Sequence, residues 1–319
     1  MTQALNFTPK AIADLLNHDV AHNPGVAAGF RYLADKLRQA QVFVVGEHGQ
    51  LLDRSKPRPE VPCSMLRPPF PVVALEYTAA TNEWDMGAYT AVRSSKRIAL
   101  AWDWSDDLPA ILRPWAPRNL GEGVVVASIS FFDQHGFWMP IGAASHIAYD
   151  QPWEAIVDSP FRQAMIESGR MARKVMAQGK TLPSRAIGLM PEAIAHAVQS
   201  QGGVETVMDA LAADVMDEAN AYCDLSMALA CKNVVTRHRP APAALNRQRI
   251  KRGKLPLTGF HVLELRDGGD MPGAGGGERD GPRSHLRRGH IRRLGPERIT
   301  WVNSAIVRGR GFVDKVYAL

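Results

Sequence analysis

The stretch VVVASISFFDQHGFWMPIGAASHIAY, residues 124–149, decides the fold of this chain. Both of its halves are rich in β-branched and aromatic side chains, which favour strands. The four residues between the halves, DQHG at positions 133–136, suit the connection of a β-hairpin. The sequence therefore predicts two antiparallel strands, residues 124–132 and 137–149, as part of an antiparallel meander.

Further strand candidates lie on both sides of this hairpin. They share its composition and cover residues 42–45, 72–78, 97–104, 260–265 and 299–307. Six prolines in residues 53–71 predict an extended, irregular connector before the first of the longer strands. Within that strand Glu76 stands among apolar neighbours, and we expect a partly buried carboxylate paired with an arginine.

Three regions have the residue spacing of amphipathic helices. The first 40 residues predict two helices, the first with Thr8 as its cap and Pro9 at its first helical position. Apolar residues recur every three or four positions in residues 161–178 and again in residues 204–235. The last region has the clearest helical pattern of the chain.

These elements predict an α+β fold, in which an antiparallel sheet carries a helical layer from residues 150–235 on one side, followed by a basic C-terminal strand-loop-strand. The chain divides into an N-terminal helical segment and strand (1–52), a central unit of sheet and helices (53–235) and a basic C-terminal region (236–319). Two arrangements of the last region stay open, since its strands can join the central sheet or form a separate domain.

The overall composition is that of a globular chain, with 319 residues, 45% of them hydrophobic and 22% charged. No apolar run reaches the roughly 18 residues that span a bilayer, and the N-terminus lacks the pattern of a signal peptide. We therefore expect a cytoplasmic protein without a membrane partner. The odd number of cysteines, Cys63, Cys223 and Cys231, is typical of buried thiols in a reducing compartment.

Positive charge is concentrated near the C-terminus. Residues 237–310 contain 17 Lys and Arg but only six Asp and Glu, a formal charge of +11, whereas the whole chain carries +6. Clustered charge of this sign attracts polyanions and speeds their encounter. It indicates the chemical class of a partner but does not define a reaction.

The first basic element spans residues 245–254, a short helix candidate in which Gly253 can close the helix. Its five candidate nucleic-acid-binding residues are Arg247, Arg249, Lys251, Arg252 and Lys254. Alignment of Arg247, Lys251 and Lys254 on one face would suit a phosphate backbone. The alternative is a solvated surface with cations near a helix C-terminus, which the helix dipole favours.

The second basic element spans residues 283–293. Its five candidate nucleic-acid-binding residues are Arg283, Arg287, Arg288, Arg292 and Arg293. Because arginine binds phosphate in a bidentate manner and stacks on bases, contact with nucleic acid is the leading hypothesis for this element. The alternative is an arginine network that neutralises acids of the long helix candidate, such as Asp209, Asp214 and Asp217.

Two histidines of the second basic element, His285 and His290, are the candidate catalytic residues. The pKa of histidine suits acid–base catalysis on a phosphodiester, which gives a metal-independent nuclease as an alternative function. The chain contains no glycine-rich phosphate-binding loop, and the positive surroundings of these histidines disfavour a metal ion. We therefore expect neither a cofactor nor a metal.

Two C-terminal segments form a recognisable pattern. One runs from LNR at 245–247 through GKLPL at 253–257 to FHVL at 260–263, and the other is RSHLRRGHIRR at 283–293, followed by TWV at 300–302. Together with PFP at 69–71 and LEY at 75–77, this pattern resembles that of a group of uncharacterised phage and prophage proteins. The resemblance implies a bacterial-virus setting and therefore the host cytoplasm. It implies no activity and no catalytic residues.

The sequence thus predicts a phage-encoded nucleic-acid-binding accessory protein that acts through the two basic elements. Two alternatives remain: the nuclease that uses His285 and His290, and a factor that binds an acidic host or viral protein. DNA or RNA is the expected partner, and the oligomeric state stays open.

Overall fold

The structure is a computed structural model that describes most of the chain. The described residues are 5–18, 20, 22–52, 60–79, 94–105, 107–158, 160–169, 171–201, 203, 204, 207, 208, 211, 214–265, 285–287, 290–295, 298–302 and 305–307. Asp209, Arg283 and Arg288, which the sequence analysis named, lie outside them.

A central sheet of eight strands organises the described part of the chain. The strands are β1 (Gln41–Val44), β2 (Val72–Thr78), β3 (Lys96–Asp103), β4 (Gly123–Phe132), β5 (Phe137–Ala148), β8 (Ser184–Gly188), β9 (Val234–Arg239) and β10 (Phe260–Leu265). Their order across the sheet is β8-β5-β4-β3-β2-β1-β10-β9. Three pairs of short strands lie outside it: β6 (Glu154–Ala155) with β7 (Lys180–Thr181), β11 (His285–Arg287) with β14 (Ala305–Val307), and β12 (His290–Gly295) with β13 (Arg298–Val302).

The hairpin at residues 124–149 is confirmed. Strands β4 and β5 pair antiparallel, and the carbonyl of Phe132 accepts the N–H groups of His135 at 3.0 Å and Gly136 at 2.8 Å in the turn. Strands β2 and β3 continue the antiparallel meander. The predicted strands between residues 42 and 265 all lie within one residue of their predicted bounds, because alternation and turn chemistry are local signals.

Strand β1 makes the sheet mixed, because it runs parallel to both of its neighbours, β2 and β10. Phe43 pairs with Leu75 on one side and with His261 on the other. The run Val42-Phe43-Val44 is buried, as expected for a strand that is covered on both faces. Strand β10, which the sequence predicted in the basic region, belongs to the central sheet together with β9.

Helices cover both faces of this sheet. The described helices are α1 (Thr8–Asn17), α2 (Pro24–Gln39), α3 (Pro160–Glu167), α4 (Arg173–Gln178), α5 (Pro191–Gln201), α6 (Met216–Leu229) and α7 (Ala243–Lys251). On one face α1 and α2 bury Leu15 and Phe30 in a core with Trp102, and on the other face α6 buries Tyr222 in a core with Leu75. The α+β class is therefore confirmed, with the N-terminal helices as a second helical layer. None of the described helices combines the length and the apolar character that crossing a membrane requires.

Several predicted elements have different bounds in the structure. The prediction of a helix over residues 204–235 is wrong at its C-terminal end, since α6 ends at Leu229 and β9 begins at Val234. The pair Val234-Val235 starts a strand whose pairing with β10 outweighs the helical spacing, because β-branched residues favour strands. The helix expected at 161–178 is divided into α3 and α4, and Gly169 adopts φ +76° between them. The strand expected at 299–307 is likewise two strands, β13 and β14.

Carboxylates from distant elements bind the starts of the two N-terminal helices. Glu76 accepts the backbone N–H of Thr8 at 2.7 Å and its hydroxyl at 2.8 Å. Glu192 of α5 accepts the N–H groups of Gly25 at 2.7 Å and Val26 at 2.9 Å. A carboxylate suits both places because the first N–H groups of a helix lack partners and carry partial positive charge. The prediction that Glu76 pairs with an arginine is therefore wrong, because Glu76 accepts its hydrogen bonds from Thr8 instead.

The three cysteines are buried, as predicted. Cys63 and Cys223 lie in the core between α6 and the sheet, Cys223 on α6 itself, and Cys231 follows the end of that helix. Burial raises the pKa of the Cys63 and Cys231 thiols to about 11, so both stay protonated near neutral pH. These thiols therefore act as small apolar side chains of the core.

A buried ion pair joins α6 to the sheet. The carboxylate of Glu218, which is fully buried, accepts hydrogen bonds from the Arg97 guanidinium at 3.1 Å and from the Tyr77 hydroxyl at 2.9 Å. Burial raises the pKa of Glu218, while the charge of Arg97 opposes that rise. Arg97 therefore supplies the positive charge that stabilises the ionised Glu218 carboxylate inside this core.

We expect Arg97→Met to reduce the free energy of unfolding by about 3–5 kcal/mol, because it leaves the Glu218 carboxylate buried without its counter-charge. Without Arg97 the pKa of Glu218 in the folded state rises further, so the loss should grow as the pH rises above the ordinary carboxyl range. Urea unfolding at about pH 5 and about pH 8 measures both effects. Arg97→Met/Glu218→Gln is the control and should recover much of the loss. An equal loss of unfolding free energy at both pH values and in both variants would contradict the role of Arg97 as the counter-charge of Glu218.

Candidate nucleic-acid interface

The first basic element lies at one end of the central sheet. Strands β9 and β10 are antiparallel neighbours, and the chain between them contains α7. Pro240 and Pro242 follow β9 and favour an extended path before α7 begins at Ala243. The helix therefore lies at the sheet end where β9 ends and β10 begins.

The end of α7 is fixed by Gly253, as the sequence predicted. Gly253 adopts φ +65°, a conformation that glycine takes without the steric cost of a side chain. The N–H of Lys254 donates to the carbonyl of Arg249 at 2.9 Å, and the N–H of Gly253 donates to that of Ile250 at 3.0 Å. This pair of bonds is the Schellman arrangement, which satisfies carbonyls at the end of a helix.

One side of α7 is attached to the segment that leads into β10, residues 255–259, which we call the strap. The side-chain amide of Asn246 donates to the Leu257 carbonyl at 2.9 Å and accepts the Leu257 N–H at 2.7 Å. Arg249 Nε donates to the Leu255 carbonyl at 2.8 Å. Arg249 is thus held against its own chain, although the sequence analysis placed it among the candidate nucleic-acid-binding residues.

The opposite side of α7 carries exposed positive charge. No residue of the helix is buried, and Arg247, Lys251, Arg252 and Lys254 are exposed. Arg247 and Lys251 lie one turn apart, on the side away from Asn246. None of these four cations forms an ion pair with a carboxylate in the described part of the chain. Their charge is therefore available to an external anion.

Two further cations, which lie outside both predicted basic elements, project from β9. Glu264 of β10 accepts from Arg237 Nε at 2.8 Å and from Arg239 at 3.1 Å. Both arginines remain largely exposed, at 60% and 51% of the side chain. Glu264 therefore orients this pair and cancels part of its charge.

The other face of β9 and β10 carries a column of rings. His238 and His261 are cross-strand partners with ring centroids 4.9 Å apart. His261 stacks on Phe43 at 5.0 Å and lies 5.2 Å from Phe70. The Nε2 atom of His261 lies 3.3 Å from the side-chain oxygen of Gln41. No local sequence pattern predicts this column, because its members come from four separate segments.

The second basic element is described in part. His285 and Arg287 lie on β11, whereas His290, Arg292 and Arg293 lie on β12. Arg292 is exposed, and the pair β12–β13 lies beside the start of β9, where the Lys232 N–H donates to the Ile299 carbonyl at 3.4 Å. Thr300 of β13 also donates its hydroxyl to Asn233 at 3.0 Å. That this element binds nucleic acid, and that His285 and His290 act as an acid–base pair, both stay predictions.

The rival arginine network, the alternative for the second basic element, stays a prediction, since Asp209, Arg283 and Arg288 lie outside the described residues. The four exposed cations of α7 and its cap pair with no described carboxylate, and one buried acid of α6, Glu218, pairs with Arg97 of β3. Among the described residues, no group of three or more His, Cys, Asp or Glu is arranged to hold a metal ion.

No family model matches the chain, and no curated protein or solved structure is significantly similar to it. The physical properties of the basic end of the sheet are therefore the basis for assigning a function.

We expect Asn246→Ala to loosen α7 without affecting the core. The variant loses both hydrogen bonds to Leu257, and α7 has no buried side chain that would compensate. Two such bonds are together worth about 1–2 kcal/mol, so the amides of α7 should exchange roughly tenfold faster. Hydrogen exchange followed by mass spectrometry checks this, with β3 and β4 as internal references. Gln248→Ala, on the exposed side, is the matched control, and equal exchange in both variants would contradict the anchoring role.

We expect His261 to make the protein less stable as the pH falls. Burial, reinforced by nearby His238, lowers the pKa of His261 in the folded state below its ordinary value near 6.5. The unfolded chain therefore binds a proton before the folded protein does, and stability is lost as the pH falls through about 6.5 toward the lowered pKa. Urea unfolding of the wild type and His261→Gln at about pH 7.5 and about pH 5.5 tests this. The wild type should lose more stability than the variant, whereas His135→Gln, in an exposed turn, should behave as the wild type.

Proposed function

We propose that this chain is a nucleic-acid-binding accessory protein that contacts the phosphate backbone through α7 and its cap. The observation that carries the proposal is the exposed set of Arg247, Lys251, Arg252 and Lys254, which has no described counter-charge. A helix without a single buried residue adds little to the core, so its attachment to the sheet end is best explained by the charge it presents.

The charge balance around this helix supports a polyanionic partner. Residues 232–265 contain eight Lys and Arg and one acidic residue, Glu264, which gives a formal charge of +7. Phosphates bound by such a surface release condensed counterions, and this release supplies affinity that does not depend on base sequence. Binding should therefore be dominated by the backbone and weaken steeply as salt is added.

The biological setting is proposed from the resemblance of the C-terminal pattern to phage and prophage proteins. A phage-encoded protein of this kind would act in the cytoplasm of the host bacterial cell. Phosphate binding by Arg and Lys side chains requires neither a cofactor nor a metal, so the proposal invokes none.

A second candidate function is the binding of an acidic host or viral protein. Two apolar side chains of α7 favour it, since Leu245 is 43% exposed and Ile250 is 61% exposed. Exposed apolar residues beside cations suit a protein surface better than a phosphate backbone. Nucleic acid remains the first choice because the cations outnumber these two apolar side chains.

The test is a salt series with labelled single-stranded and double-stranded DNA and RNA. The variant Arg247→Ala/Lys251→Ala/Arg252→Ala/Lys254→Ala should weaken binding and reduce the slope of log K against log salt by about 0.7–0.9 for each phosphate contact that is lost. The slope is the informative readout, because a general loss of folding would abolish binding rather than change its salt dependence.

The control variant removes the same number of charges elsewhere. Arg31, Arg38, Arg118 and Lys180 are also exposed and lie outside residues 232–265. Their combined replacement by Ala should leave the slope nearly unchanged. Equal effects of the two variants, or no binding at low salt, would contradict the proposal. A pull-down that then captures an acidic protein, and loses it in the α7 variant, would support the second candidate.

A further inference from the structure

The ring column at the basic end of the sheet begins in the core and ends at the surface. Phe43 is fully buried, His261 stacks on it with an angle of 24° between the rings, and His238 follows at 4.9 Å from His261. His261 is 9% exposed, whereas His238 is exposed. Phe70 flanks the column and is half-buried. The outermost ring, His238, therefore has packed support on one side and is accessible to solvent.

The position of His238 also depends on Gly259. A Cβ atom at Gly259 would lie 2.8 Å from His238 Nε2 and 3.3 Å from Cε1, so this ring packs closely against the Gly259 backbone beside the start of β10. A ring that is held by a cross-strand neighbour and by a backbone cleft loses little conformational freedom when it binds a ligand. It is thus a preformed surface for a flat partner.

His238 is separated from the arginines of β9 by the geometry of the strand. Successive side chains of a strand point to opposite faces, so Arg237 and Arg239 lie on the face of Glu264 while His238 lies on the face of His261. Strand β9 ends at Arg239, and α7 begins at Ala243. The exposed ring therefore lies at the same end of the sheet as the cations of α7.

We infer that His238 is a stacking site for an unpaired base, and that the ligand of this protein is single-stranded nucleic acid. This inference rests on the proposed function, since it assigns a second contact to the same ligand. The faces of bases in a duplex are covered by their neighbours, and an exposed ring can stack only on a base that is free. Cations that follow the backbone, together with a ring that receives a base, are the combination typical of single-strand binding.

The stacking site does not distinguish DNA from RNA by itself, because both expose the same base faces. The 2′-hydroxyl is the feature by which proteins separate the two. The dissociation constants of single-stranded DNA and single-stranded RNA of the same sequence therefore identify the preferred ligand. A preference for either nucleic acid agrees with the inference.

The experiment compares His238→Ala and His238→Phe with the wild type. Fluorescence anisotropy with labelled oligonucleotides of about 20 nucleotides, single-stranded and duplex, gives the dissociation constants. His238→Ala should weaken single-strand binding by roughly tenfold, the usual cost of one lost base stack, with the salt slope unchanged. Duplex binding should not change, and His238→Phe should restore single-strand binding because it keeps a ring. His135→Ala, which removes an exposed turn histidine, is the matched control and should behave as the wild type.

A spectroscopic readout separates stacking from a general effect on structure. His238→Trp places an indole at the end of the column, and its fluorescence should be quenched when a single strand binds. The wild type provides the background of the seven natural tryptophans.

Two results would overturn the inference while leaving the proposed function intact. One is an equal loss of single-strand and duplex binding in His238→Ala, and the other is unchanged binding together with an unquenched indole. Absence of binding to every oligonucleotide at low salt would instead overturn the proposed function, and the stacking site with it.

Discussion

The parallel pairing of β1 with β10 is the constraint on which the position of the candidate interface depends. It places Phe43 opposite His261, although the two residues are far apart in the chain. Because β10 is fixed there, β9 pairs on its outer side and α7 is held at the end of the pair. The positions of the ring column and of the exposed cations therefore depend on the pairing of β1 with β10. Turn residues do not specify this pairing.

Distant carboxylates link the layers on both faces of the sheet. Glu76 and Glu192 satisfy the N–H groups at the starts of α1 and α2, so each helix is positioned by an element far away in sequence. Glu218 joins α6 to the sheet through Arg97. Such bonds are strong because one partner is charged, and their directions fix orientation as well as adding stability. These bonds thus hold helices on both faces of the sheet, whereas α7 at its basic end has no buried residue.

The cations of the basic end fall into two groups. Arg237 and Arg239 pair with Glu264, and Arg249 bonds to the strap, so these three belong to the local structure. The cations on the outer side and cap of α7 have no described counter-charge. Within the described sheet β9 is an edge strand, and charged side chains also protect such an edge from pairing with another chain. Arg237 and Arg239 thus protect this edge, and the cations of α7 add exposed positive charge at the end of the same strand pair.

The amino-acid sequence by itself determined the local elements of this protein. The central hairpin, the strand Val72–Thr78, the glycine end of α7 and the burial of the cysteines were all predictable, because alternation, turn residues and apolar character act over a few positions. Only the tertiary structure decided the partner of Glu76, the start of β9 in the last two residues of a helical pattern, and the column of Phe43, His261 and His238. Each of these depends on contacts between segments far apart in the chain, and local periodicity carries no information about which distant strand becomes a neighbour.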